Sequence, residues 1–456
     1  MFKKHKVFFS LPNIVFYILI LVIFFTRFYK IPDFFNFGID EEYQALLSWS
    51  IVKNFHILWI GVSASNIGYY LGPGLTYLGA ALLWLSKGNP IIFAYFASLI
   101  GVLTGVSIYF VVKSIFNKKV ALTSFFLYCF SPFAFYYDRR YWPIGVPLVG
   151  LWLFFSLIKA FKNPRWLLFT ALLMGISYHL HISLWLFWPI IFFVFVYLIS
   201  KRKIFFSTII QSMLIFFICT LPLFVFDLIH NFDNLLMPIR LITNAKTRQA
   251  VLNPFMRIPQ LIQNLAKTCL ADSGLLIKYI FFVSFCIFCF FLLFKRKTLE
   301  IRILFAIIFL FFLGFIFFPS PMQEYYFVLV LPFVIIVSAL FLGLLSWLIY
   351  PIILIYCLIN TFFIIKKPTL GDYQIKMSVI KKTTAVIKKS PFKLETEGDY
   401  LSYGGWRYLF QSSGHTPVQS SADSMFGWIY PDEISQTKPK YKITILRNNN
   451  FKINLE

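Results

Sequence analysis

The sequence predicts an all-α polytopic membrane protein of about 11–12 transmembrane helices, with a small α/β domain outside the membrane at its C-terminal end. Three observations lead there. Hydrophobic residues make up 59% of the 456 residues, charged residues only 13%, and the mean hydropathy is +0.77; soluble domains run near ~45–50% apolar and ~25% charged. Apolar runs of about 18 residues or more recur along the chain, each long enough to cross ~30 Å of hydrocarbon. Beyond Lys366 the composition changes to that of ordinary soluble protein.

The first run, Val7–Tyr29, has no small-residue cleavage motif after it and reads as a retained span. The formal net charge of +24 is spread in short basic clusters: Met1–Lys6, Lys113–Lys119, Lys159–Arg165, Lys201–Lys203 and Lys295–Lys297. Clusters between apolar runs are how membrane topology is written, not how nucleic acid is bound. With every cluster in the cytoplasm, the intervening spans pair as hairpins. The N-terminus is then cytoplasmic, and two long outer loops cover residues 30–70 and 230–274. A membrane domain 1–365 carries an extracytoplasmic unit 366–456. Leu71–Ser86 is apolar but short, opens on Gly72-Pro73-Gly74, and is expected to be re-entrant or interfacial.

Acidic residues support the same orientation. Ten precede Lys366: Asp33, Asp40, Glu41, Glu42, Asp138, Asp227, Asp233, Asp272, Glu300 and Glu324. All but Glu300 fall on the outer side. In the tail, Tyr373–Lys389 has helical spacing and Lys440–Leu446 alternates like a strand. Five of the six cysteines lie within apolar segments as small hydrophobes. The Cys286-x-x-Cys289 spacing, inside a span, reads as packing, and Cys269 stands alone in a loop.

Four clusters on the outer face carry candidate chemistry. Asp40-Glu41-Glu42 lies just past the first span, where a carboxylate could take a proton from an acceptor hydroxyl; acidic residues also suit the first turn of a helix. Tyr137-Asp138-Arg139-Arg140-Tyr141-Trp142-Pro143 puts guanidinium groups at the bilayer surface, suited to a lipid phosphate, to an ion pair with Asp138, or to snorkelling. Tyr178-His179-Leu180-His181 could meet a metal or a phosphate oxygen, or serve as a polar contact between helices. Gln323-Glu324-Tyr325-Tyr326 forms a polar mouth to the late spans. Their convergence on one face, with spans nearly free of charge and no internal repeat, favours an interfacial catalyst acting on a lipid-borne substrate over a carrier.

In order and spacing these motifs resemble the C-type (GT-C fold) membrane glycosyltransferases of the protein O-mannosyltransferase and aminoarabinose-transferase group, glycosyltransferase family 39-like. Asp40-Glu41 matches its acidic pair, Gly68-Tyr69-Tyr70-Leu71-Gly72-Pro73 its Tyr/Gly/Pro-rich entry, and Tyr137-Asp138-Arg139 with Pro143 its Tyr-x-Arg. Gly175 to His179 matches its Gly-bearing hairpin, and Tyr325-Tyr326 with Pro332 its late Tyr-Tyr span. The resemblance covers about residues 7–365. It implies transfer of a sugar from a polyprenyl-phosphate donor to a lipid, glycan or protein acceptor at the outer face, with inversion. Asp40 would be the catalytic carboxylate, with Glu41 beside it. Tyr69, Tyr70, Arg139, Arg140, His179, His181, Glu324 and Tyr325 would line the substrate site, and Arg139 would neutralise the departing phosphate. Where some members place a Lys before the Pro of the entry motif, Leu71 and Gly72 stand here. The phosphate role then falls to Arg139, Arg140, His179 or a basic residue of the Arg240–Arg257 loop. No metal ligand set is expected, and a divalent ion stays open as a cofactor. An envelope polysaccharide ligase or polymerase, and a lipid-linked saccharide flippase or transporter, are the alternative classes.

Overall fold

The computed structural model describes residues 11–64, 68–243, 254–271, 273–317, 323–366, 373–447 and 449–455. The N-terminal basic cluster, Asp272 and part of the Arg240–Arg257 loop lie outside the described residues.

Helix α1 (Leu11–Phe28) enters the bundle and leads into a long segment built around α2 (Ile39–Lys53), strands β1 (Ser63–Ala64) and β2 (Tyr69–Tyr70), and α3 (Gly74–Leu85). Twelve residues at ~1.5 Å each span ~18 Å, so α3 is too short to cross hydrocarbon; it packs along α2 instead. The bundle continues through α4 (Ile91–Ile115), α5 (Lys118–Cys129), the short α6 (Pro132–Tyr137), α7 (Val146–Ala160), α8 (Trp166–Leu180), α9 (Phe187–Ser200) and α10 (Phe206–Ile229). The segment between α10 and α13 is not irregular: among the described residues it contains α11 (Asp233–Thr243) and α12 (Ile258–Lys267). Then follow α13 (Leu275–Lys295), α14 (Leu299–Phe317), α15 (Phe327–Leu342) and α16 (Ile349–Lys366). Among the described residues six helices are long and apolar enough to cross a membrane, and five shorter apolar helices stand beside them. Helix α15 is the hub, its side chains buried nearly all round against α5, α7 and α14.

Local signals start the helices where the chain needs them. Asn117 accepts the Val120 amide at 2.9 Å and caps α5. Ser131 accepts the Ala134 amide at 3.1 Å, with Pro132 in the first turn of α6, where a missing N–H costs nothing.

A buried arginine ties helix ends together. Arg27 of α1 donates Nε to Asp138 at 2.7 Å and reaches the last carbonyls of α5, Tyr128 at 2.8 Å and Cys129 at 2.9 Å. A cation there meets the negative end of the helix dipole. Tyr128 also donates to Asp138 at 2.9 Å. The carboxylate fits only because Gly101 faces it: a Cβ at that position would lie 2.5 Å from the Asp138 Cγ.

The C-terminal unit forms helix α17 (Tyr373–Ile387) and a four-stranded sheet, order β4-β3-β5-β6, from β3 (Phe392–Thr396), β4 (Gln419–Ser420), β5 (Tyr441–Ile445) and β6 (Phe451–Leu455). Strand β3 runs parallel to β4 and β5, and β6 antiparallel to β5. The composition break implied separate packing, but the unit shares one apolar core with the segment between α1 and α4. Phe35, Phe37, Leu46 and Leu71 are buried in the same cluster as Trp406, Tyr408 and Phe410. The Tyr373 amide donates to the Phe35 carbonyl at 2.8 Å, and the Tyr408 hydroxyl to the Gly88 carbonyl at 2.9 Å.

Breaking the Arg27–Asp138 pair from one side leaves a buried charge without its partner. Arg27→Met should cost about 3–5 kcal/mol, read as a lower unfolding temperature in detergent. Arg27→Met combined with Asp138→Leu should recover part of that loss, which the single variant cannot.

Candidate active site

The segment before α2 runs through Phe35 and Phe37, both buried, and Gly38, whose amide donates to Glu41 at 3.2 Å as the helix begins. Three carboxylates then occupy the first turn, where four amides have no partner within the helix and the dipole favours negative charge. Successive residues turn ~100° around a helix, so the three point in different directions and meet different surroundings.

Glu41 is fully buried and takes both forks of Arg140, Nε at 2.8 Å and Nη2 at 2.9 Å. Glu42 is equally buried and faces the tail: it accepts the Tyr400 hydroxyl at 2.8 Å and the Gly405 and Tyr408 amides at 2.8 and 3.0 Å. Asp40 alone is open to solvent, and among the described residues it makes no hydrogen bond or ion pair. It is nevertheless hemmed in by protein. Desolvation, and then the charge of Glu41, push its carboxyl up to about 6, while Arg140 pulls the other way. An accessible, unengaged carboxylate with that affinity for protons is equipped to act as a general base near neutral pH.

From Glu41 a polar chain runs on across the same end of the bundle. Arg140 Nη1 donates to the Tyr136 hydroxyl at 3.4 Å, as does Asn36 at 3.3 Å. The Tyr136 ring meets Tyr137 edge-on at 4.9 Å, and the Tyr137 hydroxyl donates to Glu324 at 3.0 Å. Glu324 also pairs with Lys267 at 2.7 Å, both half open to solvent. Tyr325 stacks on Tyr326, and both lie against the His181 ring at 5.6 and 4.9 Å.

Other candidates prove to be engaged elsewhere. Arg139 is fully buried; it donates to the carbonyls of Thr26, Tyr29 and Phe135, and its guanidinium lies 3.5 Å over the Phe135 ring. It closes the C-terminal end of α1 and has no open side for a phosphate, so the role expected of it does not fit its position. His179 accepts the Gly74 amide on Nδ1 at 3.0 Å and has its Nε2 2.8 Å from the Cys219 carbonyl, so both ring nitrogens are engaged. Its ring presses on the Gly-Pro-Gly entry so closely that a Cβ at Gly72 would stand 2.2 Å from it. His181 accepts the Ser183 amide at 3.1 Å as a helix cap, its ring also facing Trp142 at 5.5 Å. Tyr69 is buried edge-on to Trp185 at 5.0 Å. Tyr70 is strapped by both backbone groups to Asn234, at 2.7 and 3.1 Å, and Asn234 is itself held through its amide by Asp227. In the Arg240–Arg257 loop, Arg240 pairs with Asp233 at 2.8 Å and Arg257 is buried with a bond to the Phe315 carbonyl; Lys246 and Arg248 lie outside the described residues.

Sequence reasoning missed Lys267, Tyr136 and Asn36, and had no means to assign Glu42 to the tail. Among the described residues no group of three His, Cys, Asp and Glu is placed to hold a metal ion.

Residues 72–226 match the family described as dolichyl-phosphate-mannose-protein mannosyltransferase. No curated protein is significantly similar in sequence. Among solved structures, the chain is similar in fold to ArnT from Cupriavidus metallidurans bound to undecaprenyl phosphate, at TM-score 0.64 and 11% identity over 94% of this chain and 92% of that one. It is also similar to the Archaeoglobus fulgidus oligosaccharyltransferase in complex with zinc and sulfate, at 0.54 and 13% over 94% and 67%. For AglB from the same organism, with an inhibitory peptide and a dolichol-phosphate, the values are 0.54 and 12% over 98% and 74%. The chain is a multi-pass membrane protein of the GT-C glycosyltransferase fold, similar over residues 72–226 to the dolichyl-phosphate-mannose-protein mannosyltransferases.

Proposed function

We propose that the protein transfers a sugar from a polyprenyl-phosphate donor to an acceptor hydroxyl at the outer face of the membrane, with inversion, and that Asp40 is the base. The single observation that carries this is the isolation of Asp40: one carboxylate of three left open and unengaged, with its carboxyl pushed up to about 6. Undecaprenyl phosphate in one structural neighbour and dolichol-phosphate in another support a lipid-phosphate donor.

In the proposed step the acceptor oxygen attacks the anomeric carbon as its proton passes to the Asp40 carboxylate. The new carbon–oxygen bond forms as the anomeric bond to phosphate breaks, and polyprenyl phosphate leaves with the electron pair. Glu41 does not touch substrate in this reading; its charge, held by Arg140, keeps Asp40 basic. The departing phosphate needs a positive partner. With Arg139 committed to carbonyls, the candidates are Lys267 beside Glu324 and the remaining face of Arg140. The outward orientation follows from the basic clusters and remains part of the proposal.

Asp40→Asn keeps shape and removes the base, so transfer should fall by at least the ~10²–10⁴-fold typical of general-base catalysis. The assay is release of polyprenyl phosphate from a panel of hexosyl and pentosyl undecaprenyl phosphates in nanodiscs. Retained turnover in Asp40→Asn would sink the assignment. The pH profile gives a second check. The active form is the carboxylate, so turnover should be full above about 6 and fall as pH drops through that value. Glu41→Gln removes a neighbouring negative charge and should move the acid limb lower.

A further inference from the structure

The tail touches the catalytic helix at the residue that could least be left alone. Glu42 is fully buried, and burial pushes its carboxyl above the usual range against the hydrogen bonds that favour the charged form. All its side-chain partners come from one short stretch of the tail, Tyr400, Gly405 and Tyr408. The contact leaves no slack. Gly405 has φ +89, and a Cβ there would lie 2.3 Å from the Phe37 carbonyl and 2.7 Å from the Lys376 amine. Lys376, buried on α17, donates to the carbonyls of Phe37 and Gly404 at 2.8 and 2.6 Å. It thereby bridges the segment entering α2 to the tail loop. On the opposite side Arg140, from the loop after α6, grips Glu41. Asp40 therefore stands on a turn held from both sides.

We propose that Glu42 is a positioning residue for Asp40, and that the C-terminal unit is the clamp that fixes the first turn of α2 through it. The proposal rests on the reading of Asp40 as the base. Without the clamp the turn can fray, as helix ends do, and the Asp40 carboxylate leaves its crowded setting for bulk water. A displacement of about 1 Å in a reacting group can cost ~10²-fold in rate. The charged groups around this turn are Arg140 from the bundle, which with Glu41 acts on Asp40, and Lys376 from the tail, which acts on Glu42 and Glu41. Of these, the Glu42–tail contact can be loosened while Glu41 and Arg140 stay in place.

The test uses the full-length protein in nanodiscs. Its main readout is the carboxyl band of Asp40 in infrared difference spectra, each variant measured against the same variant carrying Asp40→Asn and titrated with pH. Glu42→Gln should lower the Asp40 midpoint by about one unit or more, towards the ordinary value near 3.9. Turnover of undecaprenyl-phosphate sugars should fall ~10²-fold while the donor KM changes little. Tyr400→Phe, which removes one donor, should give a smaller shift of the same sign, and it decides the matter if Glu42→Gln does not fold. Lys53→Ala breaks an exposed ion pair between the far end of α2 and Glu433 of the tail and should change neither readout. An Asp40 midpoint unmoved in folded Glu42→Gln or Tyr400→Phe overturns the clamp, whatever turnover does. A shifted midpoint with full transfer in Asp40→Asn would instead uphold the clamp and refute Asp40 as the base.

Discussion

The first turn of α2 is the constraint on which the candidate site depends. Three consecutive carboxylates would repel one another in any shared setting, and the helix separates them by pointing each at a different neighbour. Glu41 is paired with a bidentate guanidinium from the bundle, and Glu42 accepts hydrogen bonds from a phenol and two amides of the tail. Asp40 retains its charge capacity unspent. Charge-assisted hydrogen bonds of this kind are roughly twice as strong as neutral ones, so the two buried carboxylates hold the turn firmly and the third is presented by it.

The buried arginines show the same economy in the scaffold. Arg27 leaves α1 to close the end of α5 and pair with Asp138, while Arg139 comes back to close the end of α1. Each satisfies carbonyls that a helix end leaves orphaned. Together they fix the loop that carries Arg140, and so fix the partner of Glu41. The scaffold and the site are thus joined by three residues in a row, Asp138, Arg139 and Arg140, each facing a different way.

Much of this was legible in the sequence, because hydropathy acts over long windows. The spans, the break near residue 366, the tail helix and the tail strand follow from periodicity; the strand expected over Lys440–Leu446 forms at Tyr441–Ile445. The acidic run also stood out, since so few acidic residues precede it. What could not be read was the division of labour between neighbours. Arg139 and Arg140 are chemically identical in a sequence, and only the turn after α6 sends one into the core and the other to Glu41. Lys267 gave no signal, because its partner Glu324 lies 57 residues away. The composition of the tail pointed to a separate unit, whereas its aromatic residues complete the core of the segment between α1 and α4, a pairing without any local pattern.

The central claim is that a lipid phosphate is handled at the outer face beside the first turn of α2. Photo-crosslinking answers this most directly, with an undecaprenyl phosphate analogue carrying a diazirine next to the phosphate, added to the protein in nanodiscs and mapped by mass spectrometry. The account predicts adducts on residues 36–43, on Tyr136 to Arg140 and around Lys267 and Glu324, suppressed by excess undecaprenyl phosphate. Competable adducts confined to the basic helix ends at Lys113–Lys119 or Lys201–Lys203 would contradict it.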